Sequence, residues 1–397
     1  QRHADGSVRF AVIAATLAVP ANGTIALSFV NQASGNNTPM TQAQMLDPRF
    51  MDASISIDGT TVSAKQMLTA GHCKPWTQGQ IAQTMVCADD SLAHAYDVGP
   101  IRPRFHLTFW NGAGKVVVRW IGENSLAGAM IDKQYDLAFS LGATQVSKPA
   151  LIHPFGSRWT RTSEAVATVN IDHNLPYLAS THFVPNLDPS TPVSESTIAS
   201  DYAAWQSAPK DLYQSGLWTK SMPTTGGRAD LGLMPDWHAK WLYTGDWRAR
   251  EIVLGQADLA AAWVLNFREG RAGKKIDKAQ TVDGVGLPLS VYAEPSVWLP
   301  TNNGNYGQGI TLADHTIVTD PAGYPKTAWG WEADGAHLPM PFYLPYILTG
   351  DPFYLEQSQL WSAALAFSVP GLPWTSRGPG AGIEKETRGN AWMLADR

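Results

Sequence analysis

Charged side chains are scarce in this sequence, and this limits the partners it can have. They make up 16% of the 397 residues, whereas soluble proteins usually carry about a quarter. The formal net charge is −5, and no basic stripe stands out. Because phosphate binding needs clustered cations, nucleic acid is not expected as a partner.

Long apolar runs are also missing. The longest, from Phe10 to Val19, is far shorter than the roughly 18 residues that span a bilayer. The sequence therefore predicts no membrane span, and this run favours a buried strand. No signal peptide is visible, and Gln1 begins a segment that already looks folded, so we expect a processed chain or a fragment.

Cysteine is nearly absent, since Cys73 and Cys87 are the two in the chain. A close pair in a turn-rich stretch favours a disulfide and an extracellular, cell-surface or periplasmic location, although two free buried thiols in a cytosolic protein fit the same count. No CxxC or HxxxH spacing accompanies the pair, so no zinc site is expected. Phosphate-binding, dinucleotide-binding, serine-hydrolase and EF-hand motifs are missing too, which predicts no cofactor and leaves only structural calcium on loop carboxylates open.

Tryptophan, by contrast, is abundant, with 16 residues. Indole rings stack on the apolar faces of sugars and offer one N–H donor. Most of these rings are expected to fill the core, but their excess favours a surface that handles saccharides.

Hairpin signals dominate the first half of the chain. Each consists of two β-prone runs around a turn with glycine, and Asp-Gly or Asn-Gly turns are typical of tight hairpins. The predicted hairpins are Ser7–Val19 with Thr24–Val30, Ile55–Val62 around Asp58-Gly59, and Arg104–Trp110 with Lys115–Ile121.

A short repeat marks the helical second half. Thr244-Gly245-Asp246 and Thr349-Gly350-Asp351 recur 105 residues apart, each after an aromatic-rich helical segment. Glycine suits the left-handed end of one helix, and aspartate caps the start of the next. The repeat therefore predicts helical hairpins at 235–268 and 340–368, with Trp247–Phe267 as one long helix. Such hairpins cannot bury their apolar faces alone, which indicates an array or a closed ring.

The segment Asp5-Gly6-Ser7-Val8-Arg9-Phe10-Ala11-Val12, followed by Pro20-Ala21-Asn22-Gly23-Thr24, resembles part of exo-rhamnogalacturonan-lyase-like proteins. That family has a small β-barrel, then a β-sandwich, then an (α/α) toroid. The resemblance implies a multidomain β + α protein: part of a small β-barrel over 1–45, a β-sandwich-like region over 46–190, and an α/α toroid-like helical-hairpin domain over 191–397, incomplete in this chain.

The first candidate site precedes the first repeat. Arg228 offers a planar fork for a carboxylate, Asp230 can orient that fork or bind a sugar hydroxyl, and Trp237 and His238 open the next helix. The competing interpretation is an arginine–aspartate pair that pins a loop to a helix.

Two further groups occupy similar places before later helices. Trp331, Asp334, His337 and Tyr343 precede or open the second hairpin, and Arg388 and Asn390 precede a third helix-like segment. By the repeat, the first two groups should converge on one pocket, with Arg119 and Glu123 of the β region able to reach it. The alternatives are a capping loop with core tryptophans and an exposed charged loop.

These residues lead to three functional hypotheses for an extracellular, carbohydrate-active protein. The first is a polysaccharide lyase on an acidic polysaccharide, in which Arg228 or Arg388 neutralises the carboxylate, His238 or His337 is the base, and Tyr343 is the acid. In it, Arg228, Asp230, Trp237, Trp331, Asp334 and Asn390 bind substrate. The second is a glycoside hydrolase with paired Asp230 and Asp334. The third is a non-catalytic surface or structural glycoprotein on the same scaffold. The partner is a polysaccharide or oligosaccharide, and further chain segments or an oligomer can complete the ring.

Overall fold

A computed structural model describes the chain except for residues 1, 31–36, 92, 127–131, 166, 221–227, 233, 270–285, 290–309, 312–316, 319–330, 332–336 and 368–397. Within the described ranges the strands are β1 Ala53–Ile57, β2 Thr60–Ser63, β3 Cys73–Thr77, β4 Ala82–Cys87, β5 Arg102–Trp110, β6 Lys115–Asn124, β7 Lys133–Leu141, β8 Thr144–His153, β9 Ser157–Thr162, β10 Ile310–Thr311 and β11 Ile317–Val318. The helices are α1 Gln42–Met45, α2 Ala64–Thr69, α3 Leu175–Ser180, α4 Glu195–Ser207, α5 Asp236–Thr244, α6 Trp247–Ala260, α7 Tyr343–Thr349 and α8 Pro352–Phe367.

Two antiparallel sheets pack face to face. One has the strand order β2-β1-β7-β8 and the other β3-β4-β5-β6-β9. Trp120 of the second sheet lies 5.3 Å from Phe139 of the first, ring centroid to centroid. Trp159 donates a hydrogen bond to the Tyr135 hydroxyl at 2.9 Å across the same gap. Trp159 also covers Gly122, where any Cβ would overlap the indole ring. The predicted β-sandwich-like arrangement is therefore present.

Two predicted hairpins and the disulfide are confirmed. Asp58 and Gly59, both at positive φ, form the two-residue turn between β1 and β2, which pair from Ile57 with Thr60. β5 and β6 pair across the turn 111–114, from Trp110 with Lys115. Cys73 and Cys87 face each other on β3 and β4 and are disulfide-bonded.

The predicted hairpin at residues 7–30 is only half formed. Its turn exists, with the Gly23 amide donating to the Pro20 carbonyl at 3.0 Å. Residues 9–30, however, contain no strand in the structure. A β-prone run becomes a strand only when another strand supplies hydrogen-bond partners, and the described part of the chain offers none here. The small β-barrel over 1–45 stays a prediction.

Both helical hairpins are present. α5 ends at Gly245 and α7 at Gly350, each in the left-handed conformation. The carboxylates of Asp246 and Asp351 then accept backbone N–H groups of the next helix, from Arg248 and Phe353 respectively. A β-rich part followed by helical hairpins is thus what the structure shows, whereas closure into a toroid stays a prediction.

Helix α6 is shorter than predicted. It ends at Ala260, because the following residues bind the second sheet instead of continuing the helix. The Ala261 carbonyl accepts the Arg158 amide at 3.0 Å, and the Asn266 amide donates to the Gly156 carbonyl at 2.9 Å. The Asn266 side chain also donates to the Ala261 and Trp263 carbonyls. The segment that follows α6 therefore runs along the N-terminal end of β9.

The outer face of the second sheet is polar and is covered by helices. Residues paired across β5, β6 and β9 share a face, and this face presents Arg104, His106, Arg119, Glu123 and Arg158. These side chains meet carboxylates on α6 and at the start of α8. The molecule therefore has three layers. The two sheets pack against each other through apolar side chains, and the helices pack against the second sheet through buried charges. No helix among the described residues has the length and apolar character to cross a membrane.

Candidate functional site

Arg228 and Asp230 form a buried pair just before α5. Arg228 Nε lies 2.9 Å from Asp230 Oδ1, and the Asp230 side chain is 4% exposed. The other carboxylate oxygen accepts the Thr219 amide at 3.3 Å. Asp230 therefore fixes the guanidinium and ties the loop to segment 213–220.

Trp237 and Trp331 belong to one aromatic cluster, in which each ring meets the next edge to face. Trp263 is central: its ring lies 5.6 Å from Trp218 and 4.6 Å from Trp331. Trp218 in turn lies 4.9 Å from Trp237. All of these rings are buried. We call them the tryptophan cluster, which consists of Trp218, Trp237, Trp263, Trp331 and Trp361.

Segment 213–220 brings the two predicted groups together. The Trp331 indole donates to the Tyr213 carbonyl at 2.9 Å, while the Thr219 amide binds Asp230. Asp230 and Trp331, which lie about one repeat apart in the sequence, therefore both contact segment 213–220. This segment is not among the site residues that the sequence predicts.

Lys220 is the most informative residue of that segment. Its ammonium lies 5.2 Å from the centroid of the Trp331 ring and donates to the Tyr213 carbonyl at 3.4 Å. Burial lowers its pKa. Among the described residues no carboxylate lies within 4.0 Å of this nitrogen. The site therefore contains a cation on an aromatic face, beside an arginine held by Asp230.

The other predicted site residues differ in how deeply they are buried. His238 is 1% exposed, and burial lowers its pKa to about 3. His337 and Tyr343 are half-buried, and burial raises the pKa of the Tyr343 hydroxyl. Asp334, Arg388 and Asn390 lie outside the described residues, so their roles stay predictions.

A second polar group lies between the second sheet and the helices; we call it the arginine–glutamate network. Glu123 is fully buried and binds Arg104 at 3.1 Å, Arg158 at 2.7 Å and Arg268 at 2.9 Å. Glu356 of α8 binds the same three arginines at 2.6 to 2.7 Å. Burial alone would raise the pKa of Glu123, but the three guanidinium groups hold it below its usual range.

Arg119 anchors a neighbouring group. It binds Asp258 of α6 at 2.7 Å and Asp351 at 2.8 Å. Burial raises the pKa of Asp258. At Asp351 the effect of burial is overcome by Arg119 and His106, which hold that pKa low. Arg119 and Glu123 therefore do face the helices, as the sequence suggested, yet their partners bind them fully.

The alternation along β5 and β6 was the available signal for this polar face. Arg102, Arg104 and His106 alternate with Pro103 and Phe105, which marks a strand with one polar side. The sequence does not show that this side is buried. Because each of the three arginines binds both glutamates, the arginine–glutamate network fixes α8 on the sheet and leaves the Lys220 neighbourhood as the better binding site.

A shallow depression of about 500 Å³ lies elsewhere, lined by Asp52, Lys65 and Tyr96 among others. Its carboxylate already binds Ser63 and the Lys65 amide. No group of His, Cys, Asp or Glu within the described ranges is placed to hold a metal ion.

No family model, curated protein or solved structure matches the chain.

Proposed function

We propose that the protein is an extracellular, carbohydrate-active enzyme that cleaves an acidic polysaccharide by β-elimination. One observation carries this proposal: Lys220 lies over Trp331 without an acidic partner among the described residues, next to the Arg228–Asp230 pair. A uronate offers a carboxylate for such cations. The disulfide supports the extracellular location.

The reaction needs three functions from the protein. Cations stabilise the negative charge that develops on the carboxylate when the C5 proton leaves, and Lys220 and Arg228 are the residues for this role. A base takes the C5 proton, the C4–C5 double bond forms, and the bond from C4 to the glycosidic oxygen breaks. An acid then protonates the departing oxygen.

His337 is the better base of the two histidines, with Tyr343 as the acid. His337 is half-buried, whereas His238 is almost fully enclosed beside the tryptophan cluster. A base must lie within hydrogen-bond reach of the proton that it removes, and burial on this scale keeps His238 from substrate.

The test is incubation of the protein with a panel of acidic polysaccharides, following the ultraviolet absorbance of unsaturated uronate. Growth of absorbance supports a lyase. New reducing ends without absorbance indicate a hydrolase, and neither signal across the panel indicates a non-catalytic protein; both results contradict the proposal.

Variants connect the activity to the site. Lys220→Met should lower kcat/KM by about 100-fold, because a charge-assisted contact to a transition-state oxyanion contributes roughly 3 kcal/mol. The matched control is Lys210→Met, since Lys210 also lies over an indole, 5.0 Å from the Trp205 ring. Equal losses in both variants would show that Lys220 has no special role.

A further inference from the structure

The sequence holds three Asn-Gly pairs, and two of them lie in turns that the structure describes. These two are Asn22-Gly23 and Asn111-Gly112, whereas Asn303-Gly304 lies outside the described residues. Asparagine before glycine is chemically reactive, because glycine has no Cβ to shield its backbone nitrogen from the side-chain amide of the asparagine. Both described pairs contain the same reactive unit, so their surroundings decide how fast each reacts.

The reaction is attack of the glycine nitrogen on the side-chain amide of the asparagine. A bond forms between this nitrogen and the asparagine Cγ, the bond from Cγ to Nδ2 breaks, and ammonia leaves with the proton that the glycine nitrogen loses. Water then opens the resulting succinimide ring at either carbonyl, which gives aspartate or isoaspartate. Water is the only other reactant, so the rate depends on how readily the asparagine reaches the geometry of attack.

The turn that contains Asn22 is held weakly. The Gly23 amide donates to the Pro20 carbonyl at 3.0 Å, and residues 11–30 make no other hydrogen bond in the described part of the chain. Asn22 is exposed, and its φ of 55° is left-handed, a conformation that residues other than glycine adopt at a cost. Opening this turn therefore breaks one exposed hydrogen bond and releases an unfavourable φ.

The side-chain amide of Asn111, by contrast, is held at both ends. Its Oδ1 accepts a hydrogen bond from Arg49 at 2.6 Å, and its Nδ2 donates to the Gln80 carbonyl at 3.1 Å. The backbone amide of Asn111 also donates to the Ile81 carbonyl at 3.0 Å. Before Cγ can be attacked, the side chain has to leave both partners, and the bond from Arg49 is charge-assisted and therefore strong.

We propose that Asn22 is a site of spontaneous deamidation and that the fold protects Asn111 from the same reaction. In the folded protein Asn22 should react at least about ten times faster, because a neutral and a charge-assisted hydrogen bond of the side chain must break at Asn111, against one backbone bond at Gly23. The product adds a carboxylate to a chain whose formal net charge is −5. The reaction is independent of the proposed enzymatic activity.

The test is peptide mapping of the purified, disulfide-bonded protein during storage for weeks at neutral pH and physiological temperature. The two sites fall in separate tryptic peptides, which end at Arg49 and Lys115. Mass spectrometry with fragmentation then measures the amounts of aspartate and isoaspartate at each asparagine. We expect both products at Asn22, with isoaspartate in excess, and at least about tenfold slower conversion of Asn111.

Two controls connect this difference to the structure. In protein that is kept unfolded in urea, Asn22 and Asn111 should react at similar rates, since neither side chain is held there. Arg49→Met removes one of the two hydrogen bonds of the Asn111 side chain and keeps an unbranched side chain. Because Arg49 is exposed, circular dichroism should show an unchanged fold. This variant should speed the conversion of Asn111 and leave that of Asn22 as it is.

Equal rates at the two sites in the folded wild type would overturn the proposal, and so would a product that contains aspartate without isoaspartate. A difference that persists unchanged in urea would show that neighbours in sequence, and not the fold, protect Asn111. An unchanged rate of Asn111 in Arg49→Met would show that the hydrogen bonds of its side chain give no protection. Either of these results contradicts the proposal as well.

Discussion

Glu123 is the side chain whose chemistry depends most on its neighbours. It is fully buried at the end of β6, and three guanidinium groups and the Ser125 hydroxyl bind its carboxylate. A buried charge is very costly unless it is paired and hydrogen-bonded. Removing one partner leaves the others uncompensated, which costs more than the pair itself contributes.

Glu123→Gln should therefore destabilise the protein by about 3 to 5 kcal/mol in urea unfolding, because it leaves arginine charge buried without a counterion. Glu195→Gln is the matched control, since Glu195 also binds an arginine, Arg248, but its side chain is 75% exposed. The control should cost less than about 1 kcal/mol. Similar losses in both variants would show that the arginine–glutamate network contributes no more than a surface pair.

The buried histidines make stability depend on pH. Burial lowers the pKa of His153 and of His238 from 6.5 to about 3. Between these values the unfolded chain binds a proton at each site and the folded chain does not. The free energy of unfolding should therefore fall as the pH falls from 6.5 towards 3, by about 1.4 kcal/mol per pH unit for each histidine.

Urea unfolding at a series of pH values measures this slope. His238→Gln should reduce the slope by the contribution of one proton, whatever it does to the absolute stability. An identical slope in wild type and His238→Gln would mean that His238 is protonated in the folded protein.

Among the elements, the two helical hairpins were predictable because their signal is local. Glycine at Gly245 and Gly350 and aspartate at the next position define the helix end and the next cap within two residues. The Asp58-Gly59 turn was predictable for the same reason. The outcome of the predicted hairpin at residues 7–30 was not, because its two runs have the composition of strands but strand formation depends on a partner elsewhere. The end of α6 depends likewise on contacts with β9.

The two hairpin glycines should respond differently to substitution. At Gly245 an added Cβ would meet the Ile171 carbonyl of the backbone, and at Gly350 it would meet the Val12 side chain. Left-handed φ alone costs an alanine roughly 1 kcal/mol. The loss of stability in Gly245→Ala should exceed this cost by at least about 1 kcal/mol. The loss in Gly350→Ala should stay near this cost, because a side chain can move more easily than backbone.

Thermal unfolding measures both costs, and Gly59→Ala supplies the reference. Gly59 also has positive φ, but an added Cβ there meets nothing within 4 Å. The stability lost in Gly59→Ala therefore reports the effect of positive φ alone. If Gly245→Ala costs no more than Gly59→Ala, the contact with the Ile171 carbonyl does not restrain the turn.

At the scale of the whole molecule, long-range charge pairs join layers that the sequence presents as separate domains. Glu356 is in direct contact with both Arg104 and Arg158, although it lies 252 residues from Arg104 and 198 residues from Arg158 in the sequence. No local pattern reveals such pairs, which explains why Arg119 and Glu123 were expected to face the helices but their partners there were not identified. The neighbourhood of Lys220 was missed for the same reason, since Trp331 reaches it from 118 residues away through Tyr213.

This interface predicts that the second sheet and the helices unfold together, although chains of this length often unfold in steps. Hydrogen exchange should give similar opening free energies for the amides of β5 and β6 and for those of α8, because opening either layer exposes the arginine–glutamate network. Glu356→Gln should lower both values together, whereas the exposed-pair control Glu195→Gln should lower neither by more than about 1 kcal/mol. Helices that exchange through a separate, less costly opening while β5 and β6 stay protected would show that the buried charges position α8 without coupling the stability of the layers.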